Sequence, residues 1–278
     1  IDLTRIQRAL TMADCGQMVD ITDMESEMLG LDPHLATVNR KRVGAIGCLD
    51  WQLTPAKGPG IDKNVAAEIY RVVHQQLSAL PCLADRLEDL AWGSFFNRAA
   101  HEIHWQPMAG RVRWRVAELG WIHPRRLSFG PARDLQVVDT LRRHGQFEPN
   151  GLPLEAYPAK FLSWKPRLYN EYPEREGNGP RCLYWSYFKR ISWRFRMALT
   201  EIFGIPWRIV ETDKDATVSP EQMDASLLTA ERLGETTAAV LSPGQKLRVP
   251  DGGEKKGELF GMNSAEVNAE MSKLVLGN

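Results

Sequence analysis

The sequence predicts an α+β protein: a mixed α+β region, then one long helix, then a small β-α-β-β module and a closing helix. Three observations carry this prediction. Segments with apolar residues three and four apart alternate with short segments in which apolar and polar residues take turns. Pro and Gly clusters punctuate the boundaries. Finally, WSYFKRISWRFRMALTEIFGIPWRI, residues 185–209, concentrates three tryptophans, other bulky apolar side chains and several Lys/Arg into one helix and its exit.

Residues 4–30 read as helix, with Ile6, Leu10, Met18, Ile21, Met24 and Met28 at helical spacing. Asp32 is a capping residue and Pro33 occupies the first helical position of the next helix, whose Leu35, Val38, Arg42 and Ile46 share one face. LDWQLT, residues 49–54, alternates like a half-buried strand and is closed by the turn PAKGPG. Asp62 caps a helix through Leu80 that turns Val65, Ile69, Val73 and Leu77 inward, and a shorter helix follows through Leu90. SFFNRAAHEIHWQ and RVRWRVAELG form a hairpin in which Ala99, Ile103, Trp105, Val112, Trp114 and Val116 are expected inward. RRLSFG and LQVVDT are further short strands.

The segment from Pro158 to Gly179 is a connector rich in Pro, Gly and charge. The long helix starts after Gly179-Pro180 and stops at Gly204, with Pro206 just beyond. Tyr184, Phe188, Ile191, Phe195, Ala198 and Ile202 make one stripe, while Tyr187, Lys189, Arg190, Trp193, Arg194 and Arg196 occupy much of the rest. One buried face does not use up these bulky residues, so a second contact surface is implied. IPWRIVET is a strand, Ser219-Pro220-Glu221 opens a helix that Gly234 stops, and TTAAVLSP and KLRVP are two strands. DGGEKKGELFG is expected as a loop, and NSAEVNAEMSKLVLG as the final helix.

Composition narrows the function. With 278 residues and 43% apolar residues the chain can build a real core. Lys+Arg and Asp+Glu balance at 35 each, which argues against a basic nucleic-acid binder by net charge. The distribution is uneven: residues 160–196 hold nine Lys/Arg against three Glu, and residues 211–235 hold seven acids against two bases. Adjacent basic and acidic blocks suggest two surfaces with different partners. Cys15, Cys48, Cys82 and Cys182 are far apart, with no CxxC pair, so neither a zinc site nor a disulfide framework is signalled and a reducing compartment fits. No apolar run approaches the roughly 18 residues that span a bilayer, and no signal peptide is visible. The chain starts at Ile1 and stops after VLGN, and is expected to be a piece of something longer.

The motifs of catalysis are missing from the sequence: no GxxxxGK[ST], no GxSxG, no GxGxxG leading into a helix. HEIH, His101 to His104, invites a metal reading, but on a strand positions i and i+3 point to opposite faces. No enzyme activity, cofactor or metal is expected. What remains is electrostatic. Arg111, Arg113 and Arg115 on one strand face lie about 7 Å apart at about 3.4 Å per residue, near the spacing of phosphates along one nucleic-acid strand. Lys189, Arg190, Arg194 and Arg196 surround the long helix, and can be solvated, touch DNA or pair with acids of a neighbouring subunit.

The order of these pieces resembles the portal proteins of tailed phages, in the branch found in Mu-like phages and related prophages. The resemblance rests on DPHLATVNRKRVGAIGCLDWQLTPA, PAKFLSWKPR, YPEREG, WSYFKRISWRFRMALTEIFGIPWRI, AAVLSPGQKLRV and NAEMSKLVLG, which agree in order and spacing. Members often carry a His in the segment matching FLSWKPR, where this chain has Ser163 and Trp164. Members also continue well past VLGN, so the crown region is expected to be absent from this chain.

The resemblance implies a phage portal fold with wing, helical stem and small α/β clip: residues 1–158 as wing, 159–179 as connector, 180–203 as first stem helix, 204–258 as clip, and 259–278 as the start of the second stem helix. It implies a homo-oligomeric ring, usually of twelve subunits, at one capsid vertex, through which double-stranded DNA is packaged and ejected. Tyr184, Tyr187, Phe188, Ile191, Trp193 and Phe195 are then interface residues of the stem. Trp207, Arg208, Glu211, Asp213 and Asp215 begin the clip, which docks the terminase large subunit and later the neck or adaptor proteins; the major capsid protein is a further partner, and no membrane is involved. The implied location is the virion, with assembly in the host cytoplasm. Rivals are a non-ring nucleic-acid-binding protein using the basic strand and helix faces, and an enzyme whose site carries no recognisable motif.

Overall fold

A computed structural model of the chain describes residues 2–109, 114–138, 151–167, 172–204, 209–212, 219–232, 245–248 and 254–277. The chain divides into two compact units, Ile1–Tyr187 with Asn268–Asn278, and Phe188–Val267.

The first unit opens with helices α1 (Leu3–Asp14), α2 (Val19–Leu31) and α3 (Pro33–Gly47). The single helix expected over residues 4–30 is broken because Gly16 takes φ +84°, a conformation that glycine adopts without strain. A tertiary contact fixes the break. A Cβ on Gly16 would lie 2.1 Å from the Phe129 carbonyl oxygen, and the Gly16 carbonyl accepts from the Phe129 amide at 3.2 Å and from the Ser128 hydroxyl. Helix α3 begins as the sequence predicts: the Asp32 carboxylate accepts from the His34 and Leu35 amides at 3.0 and 3.1 Å.

Residues 49–57, expected to contain a strand, carry no regular structure, and Leu49 and Trp51 are exposed. Helix α4 (Lys63–Ser78) is capped by Asp62, whose carboxylate accepts from the Asn64 amide at 2.7 Å. Its Val65, Ile69 and Val73, expected inward, are 53%, 57% and 39% exposed and line an open apolar groove of about 450 Å³ with Leu53 and Pro55.

After α5 (Leu83–Ala91) and the single turn α6 (Gly93–Phe96) come strands β1 (Ala99–Pro107), β2 (Trp114–Ile122), β3 (Leu127–Phe129), β4 (Leu135–Val137), β5 (Leu152–Pro153) and β6 (Phe161–Trp164). Two antiparallel sheets result, ordered β2-β1-β6 and β3-β4-β5. The hairpin of β1 and β2 is as predicted, but its inner face is not. The register shifts between His104 and Trp105, so the alternation breaks there and both Trp105 and Trp114 are exposed. His101 is fully buried while His104 is exposed, so the two do not converge. Among the described residues no three His, Cys, Asp or Glu side chains are placed to hold a metal ion.

The core of this unit gathers Ile6, Ile21, Met24, Leu35, Phe95 and Leu127, all with no measurable exposure. A guanidinium lies among them. Arg98 is fully buried, and donates to the carbonyls of Leu127 (2.9 Å), Phe96 (2.7 Å), Pro124 (3.0 Å) and Met18 (3.4 Å), to Asn97 Oδ1 (2.6 Å) and to the Thr22 hydroxyl. One side chain thereby ties α2, the entry to β1, the turn after β2 and β3 together. Asn97, at φ 59°, is held in the left-handed region by this network and passes it on: its Nδ2 donates to the Glu174 carbonyl at 2.7 Å.

Glu174 lies just before helix α7 (Asn178–Gly204), which starts two residues before the expected Pro180. Its first turn sits directly on the core. A Cβ on Gly179 would fall 2.4 Å from Glu25 Oε1 and 2.9 Å from the Phe95 carbonyl oxygen, so only glycine allows this approach. The C-terminal part of helix α9 (Glu254–Leu276) completes the unit against α3: Met271 and Val275 are fully buried, His34 Nε2 lies 2.9 Å from both the Asn268 carbonyl and the Ser272 hydroxyl, and Arg42 donates to the Val275 carbonyl.

The second unit contains the rest of α7 and α9, the antiparallel pair β7 (Ile209–Thr212) and β8 (Gln245–Arg248), and helix α8 (Pro220–Arg232). The Ser219 hydroxyl accepts from the Gln222 amide at 3.3 Å and the Ser219 amide donates to Gln222 Oε1 at 3.1 Å, a reciprocal cap one turn deep. Helix α9 begins at Glu254, where a loop through residue 261 is expected from its glycines. The expected strand TTAAVLSP and the stop at Gly234 lie outside the described residues.

Two substitutions test the seat of α7. Arg98→Ala removes a hydrogen bond from six buried acceptors, of which the Met18 and Pro124 carbonyls keep another donor, and is expected to cost about 3–5 kcal/mol, read from urea unfolding midpoints. Gly179→Ala should lower stability by about 1–3 kcal/mol even though alanine favours a helix interior by about 1 kcal/mol over glycine; a gain in stability would show that the contact with Glu25 is loose.

Candidate subunit-interface surface

Helix α7 holds 27 residues and extends about 40 Å at 1.5 Å per residue. It buries little of its length. Cys182, Leu183 and Ser186 are 0%, 0% and 2% exposed and form the face that meets the first unit's core. Most bulky residues beyond them remain in solvent: Phe188 is 51%, Trp193 45%, Phe195 57% and Met197 55% exposed.

These residues are not scattered. At about 100° per residue, Tyr184, Phe188, Ile191 and Phe195 fall within one narrow stripe. Trp193 and Met197 fall on roughly the opposite side. Tyr184 is exposed, Tyr187 and Ile191 are half-buried, so five of the six interface candidates carry accessible apolar or aromatic surface on one of two sides, with Tyr187 between them. One long helix thus presents two apolar faces.

Within the second unit α9 covers part of this surface. The rings of Phe195 and Phe260 stack with centroids 6.3 Å apart at 27°. The Arg196 guanidinium lies 5.2 Å over the Trp193 ring, so its charge is spent on the aromatic face of its own helix. Arg190 and Arg194 are exposed, while Lys189 and Arg196 are half-buried.

The remaining predicted site residues divide. Arg115 is exposed, and its Nε and Nη2 both donate to Gln106 Oε1, at 3.0 and 2.6 Å, so a neutral amide on the neighbouring strand occupies its guanidinium. Arg111 and Arg113 lie outside the described residues, as do Trp207, Arg208, Asp213 and Asp215. Glu211 is in β7, in register with Lys246 of β8. No helix among the described residues is long and apolar enough to cross a membrane.

The sequence reading misses the charges that seat this helix. Glu25 is fully buried beside α7, and burial pushes its carboxyl up to about 8, against the opposing field of Arg98. Burial likewise lowers Arg98 to about 10 and raises the Cys182 thiol to about 12. One signal for Glu25 is present in the sequence. It stands four residues after Ile21 and three before Met28, a core position of the α2 stripe.

Comparison with known proteins agrees with this architecture. The chain is 24% identical over 275 residues to the portal protein of Escherichia phage Mu, covering 98% of this chain and 51% of that protein. It is 23% identical over 275 residues to the Mu-like prophage FluMu protein gp29 of Haemophilus influenzae, covering 97% and 50%. The chain therefore spans about half the length of the curated relatives it matches. Its fold superposes with a TM-score of 0.58 on a chain in the neck of a native gene transfer agent (GTA) particle computed with C12 symmetry, at 12% identity, covering 92% of this chain and 67% of that one. The family model for the portal protein of Mu bacteriophage matches residues 23–278, and the chain is a member of that portal-protein family.

Proposed function

We propose that this chain is part of a portal subunit that repeats by rotation into a ring at a capsid vertex, leaving a central channel for double-stranded DNA during packaging and ejection. The observation that carries this reading is the pair of apolar faces on α7. A helix with bulky side chains exposed on opposite sides suits a subunit flanked on both sides by like copies, and a head-to-tail contact repeated by rotation closes into a ring. Burying such half-exposed aromatic rings contributes on the order of 1–2 kcal/mol each, enough in a dozen interfaces to hold a ring. Twelve copies is the favoured number, in keeping with the C12 symmetry of the GTA neck to which the fold is similar.

On this reading residues 1–158 form the wing, 159–179 a connector whose Phe161–Trp164 pairs with β1 as an edge strand of the wing sheet, 180–203 the first stem helix, 204–258 the clip and 259–278 the start of the returning stem helix. Tyr184, Tyr187, Phe188, Ile191, Trp193 and Phe195 form the contacts between copies. The clip, with Trp207, Arg208, Glu211, Asp213 and Asp215, docks the terminase large subunit and then the neck proteins, while the capsid protein surrounds the ring, first in the host cytoplasm and then in the virion. Arg190 and Arg194 are exposed on the stem helix, where weak, salt-sensitive contacts with DNA or with acids of a neighbour suit them. Weak contacts suit a channel, because tight phosphate binding would stop a duplex from sliding. The chain acts as a structural channel without chemistry of its own.

Trp193→Ala and Phe195→Ala should reduce the fraction of rings counted by mass photometry several-fold while shifting the melting temperature of the unassembled chain by no more than about 2 °C. Equal losses of assembly and of monomer stability would identify an ordinary core helix instead. Charge reversal at Arg190 and Arg194 to Glu should change DNA retention or ring yield and its dependence on salt; an unchanged protein would remove both residues from the functional surface.

A further inference from the structure

Glu25 is a charged-type residue in a place that offers its charge the field of Arg98 but no hydrogen bond. It has no exposure, and neither carboxyl oxygen has a hydrogen-bond partner among the described residues. Oε1 lies against the Gly179 backbone in the first turn of α7. The groups that face it are few. Arg98 approaches from the turn into β1, but all of its donors are committed to other acceptors. Cys182 approaches from α7 and feels the fields of both Glu25 and Asp32, the latter at the end of α2. Of the acids buried just before α7, Glu174 is paired with Arg133 at 3.8 Å, and Glu176 is also engaged elsewhere.

We propose that Glu25 is a proton-operated latch on the root of α7: while its carboxyl is neutral the first turn of the helix stays seated on α2, and loss of that proton to solvent unseats it. A neutral carboxyl fits an apolar contact with the Gly179 backbone at modest cost. A carboxylate there has no donor, so water must enter, and the path for water is the seam between α2 and the first turn of α7. The latch lies within one chain, wholly inside the first unit, and does not depend on the ring reading.

The direction of the pH dependence follows from linkage. The seated carboxyl holds its proton up to about pH 8, whereas in the unseated state it ionises near its ordinary value of 4.5. Unseating therefore releases one proton between those limits. The seat is at full strength below pH 4.5, weakens about tenfold per pH unit above it, and levels off above pH 8.

Hydrogen exchange of the whole chain, with rates divided by the intrinsic exchange rate at each pH, reads this directly. Protection of the α7 amides at residues 181–187 should fall about tenfold per pH unit between pH 5 and 8, while protection of α4 stays level. In Glu25→Gln, which keeps the shape and never ionises, the α7 profile should be flat. A flat profile in the unmodified chain overturns the latch without reference to any variant. The same slope in both proteins overturns it too, because the titrating group would then be another.

Discussion

A fully buried guanidinium governs how the first unit is assembled. Arg98 brings a positive charge into a core that otherwise holds Ile, Leu, Met and Phe, and that charge is tolerated because six oxygens from four parts of the chain surround it. Some of those oxygens have a second donor, as the Met18 carbonyl does in the Thr22 amide and the Pro124 carbonyl in the Leu127 amide, and the rest lean on Arg98. The requirement falls on the guanidinium: α2, the entry to β1, the turn after β2 and β3 must all arrive for Arg98 to be satisfied. Asn97 extends the network to Glu174, and through that segment to the start of α7. The long helix is aimed by a polar cluster as much as by apolar packing.

Beyond that seat, α7 leaves most of its bulky side chains exposed. A helix of this length needs tertiary packing to hold it, because isolated helices are marginal in water. Its first turns gain that packing from Cys182, Leu183 and Ser186, and α9 supplies more through Phe260 stacked on Phe195. The two apolar sides that remain exceed what α9 covers. The proposed ring gives this excess a physical reason, since a wall helix between copies must be apolar on both sides while a helix of a lone protein needs one such side.

Much of this was legible in the residues, where local chemistry decides the outcome. The caps at Asp32, Asp62 and Ser219, the length of α7 and the hairpin of β1 and β2 depend on a few neighbouring side chains and a repeat. Errors arose where distant contacts overrule the local pattern. LDWQLT alternates well, but no strand among the described residues lies beside it to pair with, and β propensity is mostly packing against a neighbour. The break at Gly16 exists because Phe129 comes close to it, which no helical repeat reveals. The groove along α4 keeps Val65, Ile69 and Val73 in solvent although their spacing marks a core face. For the interface itself, the surplus of aromatics in α7 was readable as an unassigned second surface, whereas the Glu25 and Arg98 cluster was not, since a charged residue in an apolar stripe ordinarily signals a rim and its partners come from far along the chain.

The central claim is that α7 is a wall helix between like copies around a hollow axis. A cryo-electron microscopy map of the assembled particle that carries this chain decides it. The account predicts α7 of every copy flanked on both sides by identical subunits, with Tyr184 and Phe188 facing one neighbour and Trp193 the other. A map in which α7 meets only residues of its own chain, with no like copy beside it, would contradict it.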